Sequence, residues 1–353
     1  MFKLEARAEP SRLLMAGSPL IALVITVLIG SALFAALGKS PVDGLWMFFI
    51  EPVKSVYALT ELTIKATPLV LIALGLAVCF RANIWNIGAE GQFVLGAICG
   101  GWVAMQATPD SSRALVVAGV LAAGVLGGMA WAAIVALLRD RFNASEILVS
   151  LMLVYVAEML LGYLVYGPWK DPQGYNFPQT ITFLETARIP KLLSGYRMNI
   201  GVGIALAAVA AFAVFLARTY AGFQLLVGGL APAAARYAGF SSRRALWTGL
   251  MLSGGMAGLA GALDVAGPQG QLTPFVPMGY GFAAIIVAFV GRLNPVGIVF
   301  SALLMSMFYI GGELAQSRLG LPKALTGVFQ GLLLFCLLAC DTFIHQRLRW
   351  VSK

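Results

Sequence analysis

Apolar residues run along this chain in long blocks rather than alternating with polar ones. Most blocks approach the roughly 20 residues a helix needs to cross about 30 Å of hydrocarbon. Ten blocks are candidate spans: 17–37, 57–80, 91–108, 114–138, 146–166, 199–217, 245–266, 279–291, 295–314 and 324–343. The pattern predicts an all-α polytopic membrane protein of about ten transmembrane helices. Two blocks are irregular. The second has only 15 uncharged residues, Ala66 to Phe80, before Arg81, and the eighth is short and parted from the ninth only by Gly-Arg-Leu-Asn-Pro. Short or broken segments are tolerated at membrane depth only where protein or a water-filled cavity surrounds them, so these breaks mark candidate pathway regions.

Composition agrees with the blocks. The 353 residues are 60% hydrophobic and 11% charged, against about 25% charged in a soluble domain, and the mean hydropathy is +0.88. So few charges cannot clothe a water-exposed surface, so the solvent is largely lipid. The net charge of +9 is spread in ones and twos between blocks, which is how topology signals are placed and not how a nucleic-acid face is built.

With the N-terminus inside and the blocks alternating, the inner side receives Lys3, Arg7, Arg12, Arg81, Arg139, Arg141, Arg218, Arg236, Arg243, Arg244, Arg292, Arg347, Arg349 and Lys353, which is 14 of the 24 basic residues. The excess predicts both termini inside and an even number of spans. No small-residue cleavage signal follows the first block, so it reads as a retained span behind a cytoplasmic segment, 1–16. The whole chain, 1–353, then reads as one transmembrane domain with an outer loop at 167–198, an inner loop at 218–244 and a cytoplasmic tail at 344–353. The outer loop is long enough to carry a short surface helix. In the inner loop Pro232 suits the first turn of a short amphipathic helix, Ala233 to Tyr237 continue it, and Gly239 suits its end.

Enzymatic constellations are missing. The lone histidine is His345, no H-E-x-x-H or G-x-S-x-G occurs, and the four cysteines lie in apolar runs as packing residues. Gly38-Lys39-Ser40 ends like a P-loop, but Leu33 stands where the first glycine is required. The chain shows no metal site, cofactor site or ATP site, so any ATP it uses is bound by another subunit.

Polar groups inside apolar runs are costly and usually functional. They are Glu90, Glu158 and Asp264, with Arg81 and Arg292 at segment ends. Glu158, with Tyr155 and Gly162 as helical neighbours, either bonds to another helix or serves a path. Asp264 ends the seventh block and reads as snorkelling to the interface. Gly124 with Gly128, and Gly254 with Gly258 and Gly261, have the spacing that lets helix backbones approach, and they read as packing positions.

The densest interruption is FRANIWNIGAEGQFVLGA, Phe80 to Ala97. Asn83, Asn86 and Glu90, three and four apart, share a face if the segment is helical, while Gly88 and Gly91 weaken a helix there. The stretch is either an inner loop or a break within the membrane lining a polar path. Asn83, Trp85, Asn86, Glu90 and Gln92 are pathway candidates, an aromatic with amides being suited to stack on and hydrogen-bond a polar ring compound. A packed structural turn is the other reading.

Four stretches together resemble a known family. They are Asn86-Ile-Gly-Ala-Glu-Gly-Gln92, Gly229-Leu-Ala-Pro-Ala-Ala-Ala-Arg-Tyr-Ala-Gly239, SGGMAGLAGALDVAG at 253–267 and GYGFAAIIVAFVGRLNPVG at 279–297. In this order they resemble the permease subunits of bacterial ABC importers of the branched-chain amino acid, ribose and nucleoside group, nearest to the nucleoside (simple-sugar) type, over about residues 60–310. The resemblance implies two related halves, spans 2–5 and 7–10 in inverted orientation, in a multi-pass protein of the bacterial inner membrane. It implies a coupling helix at Pro232, Arg236, Tyr237 and Gly239 that docks on an ATPase subunit holding the ATP and magnesium. It further implies a second, often different, permease subunit and a periplasmic or lipoprotein binding protein. Phe282 joins the pathway candidates, and Glu158, Arg292, Asn294 and Pro295 are structural or gating candidates. Where the family usually has Asn-Pro, this chain has Ala231-Pro232, which bears on contact with the ATPase.

The expected function is ATP-driven import of a nucleoside or related small polar, sugar-like ring compound. The alternative is an ion-coupled secondary transporter, which needs an essential intramembrane carboxylate and is motivated by Glu90, Glu158 and the broken spans. Glu158→Gln is expected to leave solute uptake in membrane vesicles at the wild-type level; abolished uptake would favour ion coupling.

Overall fold

All ten apolar blocks form helices, the one conformation that lets a single segment satisfy its own backbone hydrogen bonds away from water. The computed structural model describes residues 2–6, 12–322 and 324–350; parts of the expected inner N-terminal segment and tail lie outside the described residues. The helices are α1 (Arg12–Ala36), α2 (Pro41–Phe49), α3 (Val56–Arg81), α4 (Ala89–Met105), α5 (Arg113–Phe142), α6 (Glu146–Tyr166), α7 (Gly201–Arg218), α8 (Tyr220–Leu230), α9 (Pro232–Tyr237), α10 (Ser242–Asp264), α11 (Tyr280–Val290), α12 (Pro295–Leu319) and α13 (Ala324–His345). A 3₁₀ turn at Glu51–Val53 follows α2, and a π-helical turn at Val265–Gln269 prolongs α10. Two short strands, β1 (Phe2–Ala6) and β2 (Gln346–Trp350), pair antiparallel with Phe2 opposite Trp350.

Among the described residues seven helices are long and apolar enough to cross a membrane: α1, α3, α5, α6, α7, α10 with its π turn, and α12. The irregular second block is one continuous helix of 26 residues that carries Glu61 and Lys65 within it. The eighth block is a helix of only 11 residues, about 16 Å at 1.5 Å per residue, roughly half the hydrocarbon thickness. The sequence pattern missed α2 and α8. The loop 167–198, expected on the outer side, forms no helix among its described residues. It is instead laid against 266–272, where Thr180 N–H donates to Leu272 O (3.0 Å), Phe183 N–H to Gly270 O (2.8 Å) and Ile189 N–H to Ala266 O (2.9 Å). The short helix expected at 232–239 is α9: Pro232 opens it, and Gly239, at φ +79°, follows its end.

The chain divides into two compact units, Met1–Leu62 with Leu304–Lys353, and Thr63–Leu303. In the first, α1 packs on α13 and α2 around four buried rings, Phe34, Phe48, Phe308 and Phe329. The Phe48 and Phe329 centroids are 4.7 Å apart. Arg318 and Lys54 both pair with Glu51, at 3.0 Å and 3.6 Å.

In the second unit α4, α5 and α10 press backbone against backbone. A Cβ added to Gly128 would lie 2.7 Å from the Cα of Gly258, and one added to Gly100 would lie 2.9 Å from the Cβ of Ala262. Gly96 and Gly261 face the backbones of Gly258 and Phe93 just as closely. Lipid-facing helices gain little from excluding water, so close van der Waals contact through small residues holds such bundles. Gly124, Gly128, Gly254, Gly258 and Gly261 are therefore packing positions, as their spacing predicted.

Gly258→Ala places a methyl into the backbone of α5 and should cost at least the ~1–3 kcal/mol of an overpacked core. Gly162→Ala on α6, where nothing lies within 4 Å, should be neutral. Thermal unfolding of the detergent-solubilised protein, followed by size-exclusion chromatography, checks the pair.

Candidate functional site

The polar stretch 80–97 is a break between two helices. α3 ends at Arg81, residues 82–88 form a short non-helical connection, and α4 starts at Ala89. The helical condition under which Asn83, Asn86 and Glu90 would share a face is not met; the segment is an interruption between helices, one of the forms its composition suited. Asn83 takes a left-handed φ of 56°, a conformation asparagine tolerates, and turns the chain out of α3 before Asn86 is reached.

Each polar side chain of the connection has work in the fold. Asn86 and Gln92 bond reciprocally, Asn86 Nδ2 donating to Gln92 Oε1 (2.9 Å) and Gln92 Nε2 to Asn86 Oδ1 (3.1 Å). Asn86 Nδ2 also donates to Ser253 Oγ on α10 (2.9 Å), and Asn86 Oδ1 accepts from its own Gly88 N–H (3.1 Å). Ser150 on α6 accepts from Ile87 N–H (3.2 Å), and Gly88 lies so close to Ser150 that an added Cβ would come within 2.7 Å of its carbonyl oxygen. Asn86, Glu90 and Gln92 are essentially inaccessible. Buried polar groups of this kind must be paired, and this pairing ties α4 to α10 and α6.

Glu90 sits in the first turn of α4 and reaches α11. Its Oε1 accepts from Gly279 N–H at 2.8 Å, and its Oε2 from Gly281 N–H. The first N–H groups of a helix have no partner within it. The carboxylate fills that need, and as an anion it suits the positive N-terminal ends of α4 and α11 together. Gly281 is required by closeness: a Cβ there would strike the backbone of Ala89 and Glu90.

At the other end of α11 the Arg81 guanidinium grips the following turn. Its Nε and Nη2 donate to Leu293 O at 3.1 and 2.8 Å. Arg292 and Leu293 are both left-handed, at φ 57° and 54°. Asn294 then caps α12 by accepting from Val296 N–H (3.0 Å), and Pro295 takes the first helical position, where its missing N–H costs nothing. Phe80 stacks on Phe289 at 5.0 Å, with Trp85 6.2 Å from Phe289, and Trp85 Nε1 donates to Asn83 Oδ1 (3.2 Å).

The candidates thus fall into separate groups. Asn86, Glu90 and Gln92 form one buried knot. Asn83 and Trp85 bond to each other, with Trp85 against Phe80 and Phe289, while Arg292, Asn294 and Pro295 belong to the turn that Arg81 grips at Leu293. Phe282 is partly exposed, one residue beyond Gly281. Glu158 is half-buried on α6. Pro232, Arg236 and Tyr237 form α9, with Tyr237 almost fully exposed, and with Gly239 they stand apart from the knot. Asp264 does not snorkel: it is buried and accepts from the Gln269 amide across the π turn. Ser253, Ser150 and Leu293 are the partners that sequence reasoning missed. Ser253 carried one signal, its place at the head of the glycine-rich stretch 253–267.

A cavity of about 470 Å³ opens beneath α9, lined by Pro232, Ala235 and Arg236 and by Asn83, Arg139 and Ser241. Two ion pairs border it, Arg243 with Asp140 (2.7 Å) and Arg139 with Glu146 (3.2 Å).

A bundle of apolar helices, broken by a buried polar knot and a half-length helix, is the build of a membrane transport protein. Residues 58–338 match the family model described as branched-chain amino acid transport system / permease component, and the chain belongs to that family. It is 34% identical to the glucose ABC transporter permease protein TsgB13 of Haloferax volcanii, over 97% of this chain and 93% of that one. It is 29% identical to the nucleoside ABC transporter permease protein NupB of Lactococcus lactis, over 90% and 89%. To the guanosine ABC transporter permease protein NupP of Bacillus subtilis it is 28% identical, over 88% and 89%. It is accordingly a multi-pass ABC transporter permease.

Glu90→Ala leaves two N–H groups at the start of α11 without this acceptor, a loss of about 1.5–3 kcal/mol per charged hydrogen bond. Uptake should fall to background while the transport complex still assembles. Glu90→Gln, which can accept at one oxygen, should keep part of it. Uptake assays paired with co-purification of the complex read both outcomes.

Proposed function

We propose that this chain is the transmembrane subunit of an ATP-driven importer in the cytoplasmic membrane, passing a nucleoside or a related small polar, sugar-like ring compound. The observation that carries this is likeness over nearly the whole chain to permeases named for glucose, a nucleoside and guanosine. These are polar ring compounds, the class to which the amides and aromatics of 80–97 are suited. Hydrolysis of ATP belongs to a separate subunit in this reading. An extracytoplasmic binding protein delivers the solute, and a second permease, expected to be a different chain, completes the pathway. Asn83, Trp85, Asn86, Glu90, Gln92 and Phe282 shape that pathway, the buried ones by fixing its wall. Glu158, Arg292, Asn294 and Pro295 act in structure or gating.

The same reading has ten spans with both termini inside, in one transmembrane domain with a periplasmic loop at 167–198 and a coupling loop at 218–244. The β1–β2 pairing of the two chain ends supports it, since ends that touch lie on one side of the membrane and require an even number of crossings. So does the gathering of Arg139, Arg236, Arg243 and Arg244 around the cavity beside α9, as the rule of positive inner loops requires. α9 then serves as the coupling helix, with its exposed Tyr237 and Arg236 meeting the ATPase. An ion-coupled mechanism finds less support, because both oxygens of Glu90 are already occupied by backbone N–H groups.

Uptake of radiolabelled guanosine and glucose into vesicles should require the ATPase subunit and ATP; uptake driven by an ion gradient alone would overturn the proposal. Replacing Arg236, or placing valine at Gly239, whose φ of +79° disfavours any side chain, should leave ATP hydrolysis running while uptake falls. Unchanged uptake in both variants would remove the coupling role of α9.

A further inference from the structure

α9 is poorly braced from beneath. It spans six residues, all but Ala235 are exposed, and the cavity of about 470 Å³ lies under it. Packed interiors transmit displacement because they have little free volume; a void of this size does not. Beside its link through 238–241 to α10, α9 is joined at Ala231 to α8, which offers a push on α9 a second path.

Two glycines give α8 its backbone contacts. Gly222 closes on Phe215 and Leu216 of α7, the helix that precedes it. Gly229, near the end that meets α9, closes on a distant element: an added Cβ would lie 2.9 Å from the carbonyl carbon of Arg81 and 3.0 Å from that of Ala82. Arg81 is the residue whose guanidinium holds Leu293 O with two N–H groups. Its neighbour Phe80 stacks on Phe289 at 5.0 Å. One residue thus touches α8 with its backbone and the α11–α12 turn with its side chain. The turn it grips has two successive left-handed residues, Arg292 and Leu293, a conformation that surrounding contacts must hold in place.

We infer that Arg81 is a positioning residue that joins α8–α9 to the α11–α12 turn, so that movement of α9 carries the end of α3 and the α11–α12 turn together. This rests on the reading of α9 as the surface that meets the ATPase. The planar guanidinium suits the task, since it presents two N–H groups to one carbonyl in fixed geometry, whereas a lysine offers a single flexible point charge.

The test uses the assembled transporter, full-length chain with its ATPase, in lipid nanodiscs. Hydrogen exchange is followed over 220–240 and 287–295, with and without ATP plus vanadate. In the wild type both segments should respond to nucleotide. Arg81→Gln should keep the response at 220–240 and lose it at 287–295, with solute uptake per ATP hydrolysed down roughly tenfold. Arg81→Lys should recover part of it. Gly229→Val, which forces α8 off Arg81 from the other side, should reproduce the loss, and undiminished exchange protection of α4, α5 and α10 identifies the variants as folded. A wild-type response at 287–295 in both Arg81→Gln and Gly229→Val overturns the joint and leaves docking at α9 intact. No response at 220–240 in the wild type overturns the docking reading and the joint with it.

Discussion

The Glu90 carboxylate meeting the N-terminus of α11 is the interaction on which the polar heart of this membrane protein depends. A helix begins with N–H groups that have no partner within it, and each that is buried costs several kcal/mol if left alone. Glu90 supplies two acceptors at once. The contact demands that α4 and α11 approach until only a glycine fits, at Gly281. It also demands that α4 be held still. The Asn86–Gln92–Ser253 bonds and the glycine contacts between α4, α5 and α10 provide that.

The rigid and the adjustable parts of the second unit separate on this basis. α4, α5 and α10 share backbone contacts that allow no side chain between them, so they move as one body if they move at all. The ends of α3, α8 and α11 are joined by fewer bonds, by stacked rings and by a turn in strained conformation. α9 stands over open volume. A permease must combine a firm wall for its solute with an element that answers the ATPase, and these two kinds of packing suit the two tasks.

Much of this is legible in the amino-acid sequence. Each apolar block is a helix because block length and lipid solvation leave no other choice. Pro232 and Gly239 bound α9 by local chemistry, a fixed φ at the start and a left-handed residue past the end. The glycines four apart on α5 and α10 point to close helix contact, and residues 80–97 stand out as the place where the apolar pattern fails. Local spacing misleads where it assumes an unbroken helix: Asn83 is left-handed, and a non-helical connection separates it from Glu90.

Sequence alone determined the solvent, the helical blocks, the family and the location of the polar break, because each of these follows from composition, periodicity or an ordered set of local motifs. Only the tertiary structure decided what the polar groups do. Glu90 is 189 residues from Gly279 and Arg81 is 212 from Leu293, and no local rule links residues so far apart. A buried carboxylate reads the same in sequence whether it faces a solute, an ion or a helix end. Its bonding is decided by which N–H groups the fold brings to it, and here those stand at the start of α11.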